Sequence, residues 1–361
     1  MPKIALAHDH LFQNGGAERV LAVLAEMFPE APIFTLINDK KVSSLLLDQK
    51  KIKTSDLQNI PLILHFFKYF LFLMPKIWEK TDLSEYDTVI SSASSFVKGV
   101  KIKSQAKHIC YCHAPTRYLW DDKAEYLGNL QVPKFLKIFL PRLLNGLQAW
   151  DFAQAQKVDQ FIANSQFIAD KIKKDYQREA QVIYPPIKVD DFYISDKIDD
   201  YFLIVSRLRP YKKVDLAIRA FNNMKLPLKI IGMGSEYKKL KKMASSNIEF
   251  LGEVSDVARN KYLSHCQAFL YPQVEDLGIS ALEAMASGRP VIAYQKGGAL
   301  ETVIDGQTGI FFQNQNWAAL TYAVLRYQTI AWQPELIRAQ AKKFDISVFK
   351  AKISQLLKDN L

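Results

Sequence analysis

Short apolar runs recur along this chain, each followed by a polar or glycine-rich break and then by apolar residues three and four apart. KIALAH is the first run; a turn with two glycines follows, and AERVLAVLAEMF has helical spacing. TVISSAS, HICYCHA and QFIANS read as later strands separated by helical stretches. VIYPPIKVDDFY then interrupts the pattern, because Pro185-Pro186 can continue neither element. After it the alternation restarts with YFLIVS, LKIIGMG, IEFLGE, AFLYP and PVIAY. Strand alternating with helix predicts α/β domains with parallel sheets covered on both faces. The break predicts one domain over residues 1–185 and a second over 186–345. In such sheets ligands sit outside the carboxyl ends of the strands.

The densest chemistry lies in VEDLGISALEAMASGRPVIAYQKGG, where seven residues separate Glu275 from Glu283. AFLYP before it reads as a buried strand; a helix built from Ala, Leu, Glu and Met starts near Gly278, and Gly288 and Pro290 end it. Eight helical residues rotate roughly 800° and rise about 12 Å, so the two carboxylates are not one acid–base dyad. They suit the two ends of an extended ligand, with the free N–H groups of the helix start at Gly278 and Ile279 between them for an anion. That combination suggests a nucleotide sugar, one carboxylate on sugar hydroxyls and the other on a ribose diol. Spacing alone leaves open a solvated loop acid and a helix-surface glutamate.

Composition narrows the class. A chain of 361 residues, 49% of them hydrophobic and 24% charged, is an ordinary soluble enzyme of two domains. Three cysteines form no disulfide framework, which favours a reducing cytoplasm. The opening MPKIALAHDH has too short an apolar run for a signal peptide, and no apolar stretch is long enough to span a membrane. The net charge of +11 calls for an anionic partner. Scattered lysines and no recognisable motif speak against nucleic acid. PLILHFFKYFLFLMPKIW (residues 61–78, with Lys68 and Lys76) and VPKFLKIFLPRLLNGLQAW (residues 132–150) have the mixture of basic and aromatic side chains of interfacial helices, so an anionic membrane surface is the expected partner. Each segment also fits a core-facing helix with its lysines in water.

The segment from Glu275 to Glu283 resembles the signature of retaining glycosyltransferases of the GT-B fold, family-4 type. Asn14-Gly15-Gly16-Ala17-Glu18-Arg19, SRLRPYKKVDLAI, IIGMGSEYKKLKKMA and NIEFLGEV fall where that family has its glycine loop, its basic pair, its glycine turn and the next strand. The resemblance runs along nearly the whole chain and implies two Rossmann-like doubly wound domains facing a cleft, the first for acceptor and the second for donor. It also implies that the last helix, 346–361, returns to the first domain.

By the same resemblance Glu275 faces the transferred sugar, Glu283 the ribose, and Arg207 with Lys212 the diphosphate leaving group. A guanidinium and an ammonium stabilise the charge that grows there, with no metal and no further cofactor. Arg209 and Lys213 are neighbours that compete for this assignment. Gly15 and Gly16 would offer positive φ and backbone N–H groups to a phosphate. No G-x-G-x-x-G follows the first strand, which argues against a nicotinamide cofactor. His113, in CYCHAPTRYLWD, resembles the family's histidine near the donor sugar. Arg117, Tyr118 and Trp120 on that loop, with Asp9 and His10 after the first strand, are candidate acceptor contacts. His8, Asp9 and His10 alternate faces and do not make a metal site, and Cys110 and Cys112 lack a second ligand pair and read as buried thiols. Gly297, Gly298 and Glu301 form a turn whose small residues would leave room for ligand.

The expected activity is metal-independent transfer, with retention, from a nucleotide-diphosphate sugar to a glycolipid or lipid-linked oligosaccharide, on the inner face of the cytoplasmic membrane. The CHAPTRYLWD loop resembles the branch with bacterial mannosyltransferases, which makes GDP-mannose the expected donor. The alternatives are a sugar-nucleotide 2-epimerase of the same fold and a non-catalytic basic protein bound to membranes.

Overall fold

The computed structural model describes residues 2–121, 123, 127 and 139–360. The chain forms two compact units, Met1–Pro185 with Lys350–Leu361, and Pro186–Phe349.

In the first unit the elements run β1 (Ile4–His8), α1 (Gly16–Met27), β2 (Ile33–Thr35), α2 (Lys40–Ser43), β3 (Ile52–Thr54), α3 (Ile63–Phe66), α4 (Met74–Lys80), β4 (Thr88–Ala93), β5 (Lys107–Cys112), α5 (Leu140–Ala155), β6 (Gln160–Ala163), α6 (Gln166–Tyr176) and β7 (Ala180–Val182). All seven strands are parallel, in the order β3-β2-β1-β4-β5-β6-β7. Every residue of β4 is buried, as expected of a central strand covered on both faces. The order reverses between β1 and β4, whose register sets His8 beside Ser92. Such a reversal opens a crevice at the strand ends, where ligands bind in doubly wound folds.

The second unit contains β8 (Phe202–Val205), α7 (Val214–Met224), β9 (Leu228–Ile231), α8 (Tyr237–Met243), β10 (Ile248–Gly252), α9 (Asp256–His265), β11 (Phe269–Tyr271), α10 (Ile279–Ala286), β12 (Val291–Tyr294), α11 (Ala299–Thr302), β13 (Gly309–Phe312), α12 (Trp317–Tyr327) and α13 (Pro334–Lys342). Its six parallel strands take the order β10-β9-β8-β11-β12-β13, with the reversal between β8 and β11. A last helix, α14, spans Ile346–Asn360.

Residues 61–78 are not one amphipathic helix. They form α3, a 3-10 turn over Phe67–Phe70 and the start of α4. Ile63, Met74 and Trp78 enter the core, while Leu62, Phe66, Tyr69 and Phe72 are exposed. Of the second basic segment, residues 132–138 lie outside the described residues. Its helical remainder, α5, buries Leu144 and Leu147, while Leu143 and the preceding Phe139 stay exposed.

Candidate active site

The loop after β8 carries Arg207 and is joined by backbone to the glycine turn after β9. Ser206 N donates to Ile231 O (3.0 Å), Leu208 N to Met233 O (2.9 Å) and Glu236 N to Leu208 O (3.0 Å). Gly232 has φ +130°, and a Cβ on Gly232 or Gly234 would run into the carbonyl of Ser206 or Leu208. The turn after β9 thus needs glycine because another backbone occupies the space, and Arg207 projects from a braced loop. A single 3-10 turn, Pro210–Lys212, follows. Lys212, whose side chain is 12% exposed, forms an ion pair with Glu275, whose side chain is 23% exposed.

Glu275 belongs to the loop after β11, so this pair stands at the strand-order reversal of the second sheet. Gly278 takes φ +96° immediately before α10, and a Cβ there would strike the Tyr271 hydroxyl. The helix therefore starts where the sequence predicts, at Ile279. Glu283, one turn in, is buried, with Oε1 3.7 Å from Arg259 Nη2. Arg259 is also tied to Asp256 at 2.8 Å and has no counterpart in the sequence reading.

Gly297 and Gly298 act differently from the sequence expectation. Gly298 N donates to Glu275 O (2.9 Å); a Cβ on Gly297 would lie 2.6 Å from that same oxygen, and one on Gly298 would meet Asp276 and Leu277 backbone. The room these glycines leave is filled by the acidic loop itself. They hold Glu275 from behind, and Glu301 follows in α11.

The first unit also departs from expectation. Gly15 is extended (φ −116°), Gly16 opens α1, and neither has positive φ. The Gly15 N–H donates to Glu18 Oε2 at 2.9 Å, so a carboxylate of the chain already uses the donor that the sequence offers to phosphate. Burial pushes the Glu18 carboxyl up, but the hydrogen bond and charge of His8 and the backbone N–H groups outweigh it and bring it down to about 2. Asp9, expected to touch acceptor, is buried, accepting from Ser94 N, Ser95 N and Val97 N at 2.7–2.8 Å. It fixes the loop after β4 instead. His10 stacks on Phe12 (centroids 4.2 Å apart) and leans on Phe67; burial brings its imidazole down to about 4.

His113 follows β5, with its backbone fixed at both ends: its N donates to Ala93 O (2.8 Å) and its O accepts from Asn164 Nδ2 (2.9 Å). Its Nε2 lies 2.8 Å from Ser92 Oγ, which is in turn 3.0 Å from His8 Nδ1. Burial first, then the neighbouring His8, lowers the His113 imidazole to about 3, so it is neutral at any ordinary pH. The loop beyond is anchored from inside. Trp120 Nε1 donates to Asp151 Oδ2 (2.9 Å), and Tyr118 Oη bonds Ser95 Oγ. The polar ends of both aromatics are thereby used within the protein, while Arg117 is half-buried. Asp151 also takes Lys98, Thr116 and Tyr176. Cys110 and Cys112 are buried free thiols, the former pushed up to about 11 by burial. Among the described residues no three His, Cys, Asp or Glu side chains gather as a metal-ligand group.

Sequence comparison fits this geometry. Residues 14–191 match the family described as Glycosyltransferase Family 4, and residues 191–344 that described as Glycosyl transferases group 1. The alpha-1,3/1,6-mannosyltransferase ALG2 of Mus musculus is 28% identical over 265 residues, covering 62% of this chain and 61% of that protein. A GDP-mannose-dependent alpha-(1-6)-phosphatidylinositol monomannoside mannosyltransferase of Mycolicibacterium smegmatis is 34% identical over 138 residues, 33% of this chain and 36% of its own. The chain thus spans under two thirds of the length of both relatives. The crystal structure of Anabaena HepE with UDP and glucose superposes with a TM-score of 0.73 at 18% identity, over 99% of this chain and 100% of that one. Two adjoining family matches from 14 to 344, and a fold shared from end to end, put the chain among the glycosyltransferases of family-4 type, built on the GT-B fold.

Proposed function

We propose that the protein transfers mannose from GDP-mannose, with retention and without a metal, to a lipid-linked or polysaccharide acceptor in cell-surface glycan synthesis. The observation that carries this reading is the Lys212–Glu275 pair at the reversal of the second sheet, beside the start of α10. An ammonium and a carboxylate held together there are the complements of a diphosphate and a sugar hydroxyl. A diphosphate draws Lys212 away, joined by Arg207 from the braced loop, and frees Glu275 for the sugar. Positive side chains then oppose the charge that develops as the glycosidic bond breaks. The N–H groups of the first turn of α10, at Ile279 and Ser280, add a helix-start contribution of the same sign. Mannose as the sugar and GDP as the carrier rest on the mannosyltransferase relatives.

The exposed Leu62, Phe66, Tyr69 and Phe72, on a chain of net charge +11, favour an acceptor carried on an anionic membrane surface, at the cytoplasmic face. No helix among the described residues is long and apolar enough to cross a membrane, which leaves peripheral contact as the mode proposed.

The test is saturation-transfer NMR of the pure protein with a panel of GDP- and UDP-sugars in EDTA, followed by slow donor hydrolysis. GDP-mannose is expected to bind and hydrolyse without metal. Hydrolysis should fall on the order of 10²–10³-fold in Arg207→Ala and Glu275→Ala, the scale of one lost transition-state electrostatic contact. A folded protein that binds no donor overturns the reading. Nucleoside diphosphate released without dependence on acceptor, together with an epimerised sugar, replaces it with 2-epimerisation.

A further inference from the structure

Four side chains of the first unit, Glu18, His8, Ser92 and His113, form a polar chain at the strand-order reversal of the first sheet. Ser92 Oγ bridges His8 Nδ1 (3.0 Å) and His113 Nε2 (2.8 Å), and Glu18 Oε1 faces His8 Nε2 at 3.9 Å. Exposure is 2% at Glu18, 3% at His8 and nothing at Ser92; His113, at 9%, is the member that reaches the surface. We infer that Glu18, His8 and Ser92 are positioning residues that lock His113 in one tautomer, with Nε2 protonated and the Nδ1 lone pair presented to a hydroxyl of the sugar substrate. The substrate half of this inference rests on the transferase reading above; the tautomer half does not.

The direction of the chain follows from counting protons. The ionised Glu18 can only accept, so the facing His8 Nε2 carries hydrogen, since a lone pair there would be repelled. At alkaline pH, the condition of the NMR measurement, an imidazole carries one N–H, which leaves His8 Nδ1 bare and able to accept. Ser92 has a single proton and gives it to that nitrogen. Its oxygen must then accept from His113, whose Nε2 is therefore the protonated one. His113 Nδ1 is left as an acceptor. A sugar hydroxyl that donates to it is held by its proton, the arrangement that distinguishes a hydroxyl from an ether or a hydrogen at that carbon. Backbone bonds at His113 N and O, 2.8 and 2.9 Å, fix the main chain that carries the ring, and the 2.8 Å bond to Ser92 Oγ holds the ring itself.

Glu18→Gln tests the direction with almost no change in shape. Gly15 N–H donates to Glu18 Oε2, so the amide oxygen of the glutamine stays on that donor and its NH2 group faces His8. A donor now meets His8 Nε2, and every bond in the chain reverses: His8 becomes protonated at Nδ1, Ser92 donates to His113, and His113 becomes protonated at Nδ1. The experiment, made at alkaline pH, is long-range ¹H–¹⁵N NMR of histidine-labelled protein, which distinguishes protonated from bare ring nitrogens; the chain has 6 histidines, assigned by single substitutions.

The expected result is a protonated Nε2 on His113 in the unmodified protein and a protonated Nδ1 in Glu18→Gln, with a mixture of both in Ser92→Ala. Saturating GDP-mannose should then shift His113 Nδ1 in the unmodified protein, and turnover should fall about 10²-fold in Glu18→Gln, as for a misplaced contact. A His113 already protonated at Nδ1 in the unmodified protein, or a tautomer unchanged in Glu18→Gln, overturns the positioning device whatever the protein transfers. The inferred tautomers with no response of Nδ1 to a bound donor overturn the substrate half and count against His113 meeting the sugar.

Discussion

At the reversal of the second sheet, Lys212 and Glu275 pair with their side chains 12% and 23% exposed; at the reversal of the first, Glu18, His8, Ser92 and His113 are all below a tenth exposed. The same topological position thus carries two kinds of polar group. A partly exposed ion pair is worth less by itself than a buried one and exchanges partners readily, which suits side chains that must let go of each other when a charged ligand arrives. A buried network is costly to disturb and has one satisfied arrangement, which suits groups whose orientation is fixed beforehand. Glycine divides the same way. In the second unit Gly232, Gly234, Gly297 and Gly298 let backbones brace the charged loops, whereas Gly15 serves only as the extended cap of α1.

The sharpest way to break this contrast is to remove one carboxylate from each unit. Asp151 is fully buried and accepts from Lys98 Nζ (2.6 Å), Thr116 Oγ1 (3.0 Å), Trp120 Nε1 (2.9 Å) and Tyr176 Oη (2.8 Å). Asp151→Ala strands the buried ammonium of Lys98 and should cost about 3–5 kcal/mol in urea unfolding. Glu275→Ala, which also breaks a lysine pair, should change stability by about 1 kcal/mol or less while turnover collapses. Equal losses of stability in the two variants would remove the distinction between an exchangeable pair and a fixed network.

The contrast also explains what could be read from the sequence. The charged loops of the second unit were legible in two ways: Glu275, Gly278 and Glu283 stand together in one stretch, and Arg207 with Lys212 follows from the resemblance to the family. The helix beginning at Ile279 was placed from the same signals. What the glycines face was not legible, since Gly297 against Glu275 O and Gly232 against Ser206 O are contacts between loops distant in sequence. In the first unit the motif NGGAER was visible, but its working residue is Glu18, and nothing local says that Glu18 meets His8 rather than ligand. Ser92 gave no signal at all; it matters because β1 and β4, 84 positions apart at His8 and Ser92, lie side by side. Strands β2, β3, β7 and β13 were missed; β3 (IKT) and β7 (AQV) present no apolar run, while length alone does not set β2 (IFT) and β13 (GIFF) apart from β11 (FLY), which was legible.

Acid should separate the units next. Burial holds the imidazoles of His10 and His108 down at about 4 and that of His113 at about 3, so the folded state prefers all three neutral. Folded values below the unfolded value of about 6.5 mean that this stability is complete above that value and is lost as pH falls from there toward 4 and 3. Between about pH 7.5 and about pH 5.5 each histidine should cost roughly 1.4 kcal/mol, so about 4 kcal/mol for the three. Glu18, depressed to about 2, adds a loss of the same sign only below the ordinary glutamate value. The second unit has a single histidine, His265. Urea midpoints at the two pH values, in the unmodified protein and in His113→Gln, measure this; the variant should keep about two thirds of the dependence. An unchanged midpoint on acidification would mean that these imidazoles are charged in the folded state.

The smallest effects come from one substitution made twice, and they should differ in sign. Gly298→Ala places a methyl against the carbonyl of Asp276 and the Cα of Leu277, neither of which can rotate aside, so the loop carrying Glu275 must shift. Overpacking of that kind costs about 1–3 kcal/mol, and because the displaced atoms belong to the donor loop, donor affinity should fall with stability. Gly146 lies within α5, exposed, with nothing within 4 Å of where a Cβ would stand. Gly146→Ala gains helix propensity and narrows the unfolded ensemble, so it should stabilise by about 1 kcal/mol with donor binding untouched. Thermal unfolding together with donor titration reads both variants. If Gly298→Ala left donor affinity intact, the glycine turn after β12 would not be what holds Glu275 in place, and the second unit's charged loop would have to be braced from the β8 side alone.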